Sequence, residues 1–98
     1  MPYKVVILPH AKRQIRSWSL PDSVLVEVYI RLGEHLPKEP RRALTRTRRP
    51  FEGMAYYFSM MDPENRLCEH FFTFHILYGQ DEETLFVPRG AHVRAFGA

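Results

Sequence analysis

The chain is poor in cysteine, glycine and long apolar runs, and each scarcity excludes something. A single cysteine, Cys68, leaves no internal disulfide and no multi-cysteine zinc site to expect. Gly53, Gly79 and Gly90 stand apart from one another, as turn glycines do, so no glycine-rich phosphate loop is present. No apolar run approaches the roughly 20 residues that a membrane span needs. The opening Met1–Leu8 lacks the apolar stretch and small-residue cleavage site of a signal peptide, so a soluble, cytoplasmic protein is expected. None of the five histidines is paired at helical or short-loop ligand spacing, and Cys68 with His70 alone makes a poor site. No metal or other cofactor is therefore expected. Repeats and low-complexity segments are absent too. With 98 residues, the chain has room for one domain, 1–98, and one modest core.

What is present points to an ordinary globular protein: 45% of the residues are hydrophobic and 13% aromatic. The densest signal runs from Phe51 to Arg94. It holds three β-favouring runs, Met54–Met61, His70–Tyr78 and Thr84–Pro88, whose aromatic and branched residues suit a pleated, half-buried surface. Asp62-Pro63-Glu64-Asn65 and Gly79-Gln80-Asp81-Glu82-Glu83 separate them as turns. An antiparallel meander of three strands follows.

Upstream, Lys4–Leu8 is a short, almost continuous apolar run, the mark of a strand buried within a sheet. His10–Trp18 reads as a short helix with Ala11, Ile15 and Trp18 on one side. Pro21 and Asp22 suit the start of a second helix. Its predicted core stripe is Leu25, Val28, Tyr29, Leu32 and Leu36, and it ends at Pro37. Val24, Val26 and Ile30 widen the apolar girth beyond that stripe, as they would where a partner chain covers part of the helix. Without such a partner, the exposed patch favours a homodimer.

The predicted order is β-α-α-β-β-β. This gives an α+β domain with two N-terminal helices packed on one face of a four-stranded, mostly antiparallel sheet. Alternation along the His70–Tyr78 strand puts Phe72, Phe74, Ile76 and Tyr78 toward the helices. Phe71, Thr73, His75 and Leu77 then point to the open face.

The net charge is +3 and the isoelectric point near 9.3, with a strong local bias. Lys38, Arg41, Arg42, Arg46, Arg48 and Arg49 face only two acids, Glu39 and Glu52, between positions 38 and 52. This arginine-rich stripe fits a polyanion such as RNA, or an acidic protein partner.

In this order and spacing, the chain resembles the RelE/ParE superfamily of bacterial toxin–antitoxin toxins. The likeness runs through Tyr3-Lys4-Val5-Val6-Ile7-Leu8, Leu32-Gly33-Glu34-His35-Leu36-Pro37, Gly53-Met54-Ala55-Tyr56-Tyr57, Phe72-Thr73-Phe74-His75-Ile76 and Leu85-Phe86-Val87-Pro88-Arg89-Gly90-Ala91-His92-Val93-Arg94. The resemblance implies a compact α/β layer that docks at the ribosome and cuts messenger RNA without a metal, and a cognate antitoxin that wraps it. A related branch acts on DNA gyrase and cuts no RNA. Cleavage requires that a 2′-hydroxyl lose its proton, that charge on the phosphorus be stabilised, and that the leaving oxygen gain a proton. The family's RNases place cations where this chain has Tyr56 or Tyr57 and Thr73, and keep a basic residue at the position of Arg89, His92 or Arg94. A substitute set is expected on the open face: Tyr57, His75 and His92, with Arg89 or Arg94 near the phosphate. A plain basic RNA-binding module is the reading independent of the resemblance. His10, His35 and His70 read as structural or solvated.

Overall fold

The computed structural model describes residues 3–38, 40, 44–47 and 53–97, with the backbone alone at 45–47. The elements run β1 (Lys4–Ile7), α1 (Pro9–Ser17), α2 (Asp22–Ile30), β2 (Leu44–Thr47), β3 (Gly53–Asp62), β4 (Asn65–Tyr78), β5 (Thr84–Val87) and β6 (Gly90–Phe96). A single π-turn, Arg31–His35, extends α2.

The two-layer α+β plan is the expected one, with a larger sheet. Among the described residues it has six strands rather than four, in the order β1-β5-β4-β3-β2, with β6 paired to β4. The two additions are β2, inside what reads as a basic connector, and β6, beyond Pro88. Among the described residues, only β1 and β5 run parallel. Of the two edges of β4, one takes β3 along its length. The other is shared end to end by β6, opposite 68–74, and β5, opposite 77–78.

The long β3–β4 hairpin turns at Pro63–Glu64. Asp62 Oδ1 accepts the Glu64 N–H at 2.9 Å, a local bond that an acid at this turn position supplies. Across the hairpin, opposed residues share a face, which sorts the side chains by parity. Tyr56, Phe58 and Met60 stand opposite Phe74, Phe72 and His70, all toward the helices. Tyr57, Ser59 and Met61 stand opposite Thr73, Phe71 and Glu69 on the open face.

The core lies between this inner face and the two helices. Ala11 and Ile15 come from α1, Val24 and Val28 from α2, Leu32 and Leu36 from its π-turn extension, and Phe72, Phe74, Ile76, Leu85 and Val87 from the sheet. Burying a side chain the size of Phe72 or Phe74 contributes about 1.5–3 kcal/mol. Tyr78, predicted to face the helices, stands opposite the core residue Leu85 but is itself exposed, and its ring meets Tyr3 edge-on at 6.1 Å.

The buried stripe of α2 is Val24, Val28, Leu32 and Leu36, all at 1% exposure or less, shifted from the predicted stripe. Steps of four drift by about 40° in an α-helix. The wider turn, in which Leu36 N–H reaches the Arg31 carbonyl at 2.9 Å, winds Leu36 back toward the core. Val24 is therefore a core residue, and the expectation that it meets an antitoxin is corrected. Val26, at 57% exposure, and the half-buried Ile30 do line an outward groove with Leu25, Tyr29 and Glu34.

Candidate functional site

Two polar clusters stand on opposite faces of the sheet. On the open face, β4 presents His75 and β3 presents Tyr57, opposite Thr73. The β5–β6 corner brings Arg89 alongside, its carbonyl accepting the His75 N–H at 3.0 Å. The Arg89 Nε–H donates to His75 Nδ1 at 3.3 Å, so the neutral ring carries its proton on Nε2. His75 is only 8% exposed. Burial, and next the Arg89 guanidinium, pull its pKa below the usual histidine range, so the ring is neutral at physiological pH. Gly53, at φ 113°, opens β3 beside the ring, and a Cβ there would stand 3.7 Å from His75 Nε2. Tyr57 is exposed, as are Phe71 and Val93, which stand opposite each other farther along the same face.

His92 does not join this set. On β6 it stands opposite Phe72, and its parity turns it to the inner face, where its ring packs on Phe72 at 5.0 Å and Trp18 at 5.4 Å. Arg94 is also turned inward, since it pairs with His70, and its Nη2 donates to the Trp18 and Ser19 carbonyls at 3.4 and 3.3 Å. There it straps the end of α1, whose exit at Ser19 has φ 51°. The expected convergence of Tyr57, His75 and His92 is thereby corrected: His75 and Tyr57 share a face, with Arg89, while His92 and Arg94 lie across the sheet. Of the predicted RNA-binding residues, Lys38 is exposed after the π-turn and Arg46 lies on β2, opposite Met54. Arg41, Arg42, Arg48 and Arg49 lie outside the described residues.

The inner face carries the second cluster. His70, fully buried, bonds through Nε2 to Asp62 Oδ2 and through Nδ1 to His92 Nε2, each at 2.9 Å. Only one proton assignment satisfies a neutral chain: His70 Nε2–H donates to the carboxylate, and His92 Nε2–H donates to His70 Nδ1. The His70 bond, then the Glu64 N–H, holds the Asp62 carboxyl below the usual carboxylate range. Desolvation first, then the neighbouring His70 and Arg94, lowers the His92 pKa to about 4. Cys68, buried two residues before His70 on the same face, sets its Sγ 3.9 Å from His70 Nε2. The sequence reading missed this cluster. Its only visible signal was the alternation Cys68-Glu69-His70, and the Asp62 partner enters through the hairpin register.

No family model matches the chain, and no curated protein matches it. Among solved structures, a chain of the toxin–antitoxin complex RelBE2 from Mycobacterium tuberculosis matches with a TM-score of 0.66 and 21% identity. The match covers 95% of this chain and 100% of that one. At this identity the likeness shows a shared RelE-like fold. No helix among the described residues is long and apolar enough to cross a membrane.

Proposed function

We propose that this protein is the toxin of a toxin–antitoxin module, a ribosome-associated endoribonuclease that cuts messenger RNA without a metal, using an atypical site. The observation that carries the reading is the His75–Arg89 pair on the open face of a sheet whose fold matches a chain of a toxin–antitoxin complex. A phosphate arriving at Arg89 competes for the guanidinium that now holds His75 Nδ1. The ring nitrogen thus released is a neutral base beside the anion, suited to take the 2′-hydroxyl proton, a step that contributes about 10²–10⁴-fold. Arg89 then faces the charge that develops on the phosphorus. Tyr57, a diagonal neighbour of His75 across the β3–β4 ladder, supplies a hydroxyl, and the exposed rings of Tyr57 and Phe71 offer platforms for unstacked bases. Lys38, Arg41, Arg42, Arg46, Arg48 and Arg49 would hold the RNA backbone. The groove that Val26 and Ile30 line on α2 would receive the antitoxin, and without it, a second copy of the chain. The site of action is the cytoplasm, where ribosomes and antitoxin are met.

One observation favours a second reading, a gyrase-type or non-cutting toxin that binds a protein. Tyr57 and Thr73, opposed on the open face, stand where the family's RNases place cations. Induced expression in a bacterial host decides between the two, with wild-type protein beside His75→Ala and Arg89→Ala variants shown to fold by urea titration. Codon-phased cuts in a translated messenger, lost with either variant, are expected. Growth arrest without cuts would favour the protein-binding reading, and no arrest would overturn both.

A further inference from the structure

The inner-face cluster holds three different ligand types in one small space. One oxygen of Asp62, the Cys68 sulfur and one nitrogen of His70 all lie within 4.8 Å of one another. Cys68 and His70 are buried, and the Asp62 side chain is 12% exposed. A thiolate, an imidazole and a carboxylate together suit Zn²⁺ rather than Mg²⁺ or Ca²⁺, which prefer oxygen alone. Around a tetrahedral zinc, nitrogen and oxygen ligands stand about 3.3 Å apart, and sulfur and nitrogen about 3.6 Å. Here the separations are 2.9 Å between Asp62 Oδ2 and His70 Nε2, and 3.9 Å between Cys68 Sγ and His70 Nε2. Adjustments of a few tenths of an ångström bring both into range, while the Asp62 oxygen and the Cys68 sulfur, within 4.8 Å of each other, close toward about 3.6 Å as the metal binds.

The surroundings add what a ligating histidine needs. The second ring nitrogen of His70 is already bonded to His92 at 2.9 Å, and that contact fixes the ring's orientation from behind. His92 is held in turn against Phe72 and Trp18. We infer that Asp62, Cys68 and His70 form a Zn²⁺ site with His92 as the outer partner that orients His70, the metal clasping the end of the β3–β4 hairpin. Zinc takes the place of the proton between His70 and Asp62. The thiol loses its proton to solvent, His70 keeps one on Nδ1 and donates it to His92 Nε2, and the His92 proton moves to its own Nδ1. One proton is released per ion bound. The metal lies across the sheet from His75 and Arg89, so it acts on the fold, independently of the cleavage proposed for the open face.

Cobalt(II) titration of chelator-treated protein tests this, because Co²⁺ substitutes for zinc and a thiolate ligand gives it an intense near-ultraviolet charge-transfer band. The expected result is one Co²⁺ per chain with that band, displaced by Zn²⁺, and a higher urea midpoint with Zn²⁺. Cys68→Ser abolishes the band. Asp62→Asn, at the partly exposed turn where the fold is spared, weakens binding at least tenfold. His92→Phe keeps all three ligands and weakens binding about tenfold through the lost orienting bond. A band that never forms, or binding that survives both Cys68→Ser and Asp62→Asn, would overturn the assignment. Exposed His10, replaced by alanine, leaves binding unchanged.

Discussion

His70 and His75 lie five positions apart on one strand, both buried, and the odd spacing sends them to opposite faces. His70 is enclosed by side chains that fix both ring nitrogens, Asp62 on one side and His92 on the other. His75 accepts at Nδ1 from an arginine that an incoming anion can draw away. The first arrangement rigidifies and the second is primed to exchange partners. A buried histidine is therefore read by whether a ligand can displace its partner, and burial alone does not tell structure from chemistry.

The contrast breaks most sharply under truncation. His70→Ala removes the centre of a satisfied network and leaves Asp62 and His92 without their partner, with an expected loss of about 2–5 kcal/mol in urea unfolding. His75→Ala should lose about 1–2 kcal/mol while abolishing messenger cleavage. Equal losses from both would erase the distinction. Gly90 probes the packing that separates the two faces. A Cβ there would come 2.6 Å from the buried Phe74 ring and 3.1 Å from Trp18, so Gly90→Ala should lose about 1–3 kcal/mol by overpacking, again in urea.

The smallest effect is in pH. Unfolded, His92 takes up a proton below about pH 6.5, whereas folded it does so only at about 4. Between those values the unfolded chain binds more protons, so stability falls as pH falls. His75 acts in the same direction. Asp62, lowered instead, contributes stability that persists through this window and is lost only below the ordinary carboxylate range. In chelator-treated protein, the unfolding free energy from urea titration should fall between pH 6.5 and 4 by an amount that His92→Gln reduces by about 1–2 kcal/mol, discounted for the partial exposure of His92. A pH profile unchanged by that substitution would remove His92 from the account.

The helices and the meander were legible because their periodicities are strong and their turns carry proline, aspartate and glycine. The phase of α2 was not. Val24, Leu25, Val26, Val28, Tyr29 and Ile30 are apolar all round, so sequence contrast could not choose between Val24 and Leu25 for the core. The His75 face followed from alternation along a single strand. The His92 face did not, because it depends on β6 being a strand and on its register against β4. Arg89 joined His75 through a corner that pattern alone could not close. His70, taken as a strand start, lies well inside a strand that begins at Asn65, and its partners come from two other strands.

The π-turn at Arg31–His35 has a consequence for how the chain tolerates length change. Such a turn holds one residue more than an α-helix would need to join the same two points. Gly33 sits in it with nothing within 4 Å of where its Cβ would be. Deleting Gly33 would convert the segment to plain α-helix while keeping Leu32 and Leu36 on the core side, whereas an added residue would swing Leu36 outward. The helix thus carries a one-residue surplus that it can lose and cannot extend.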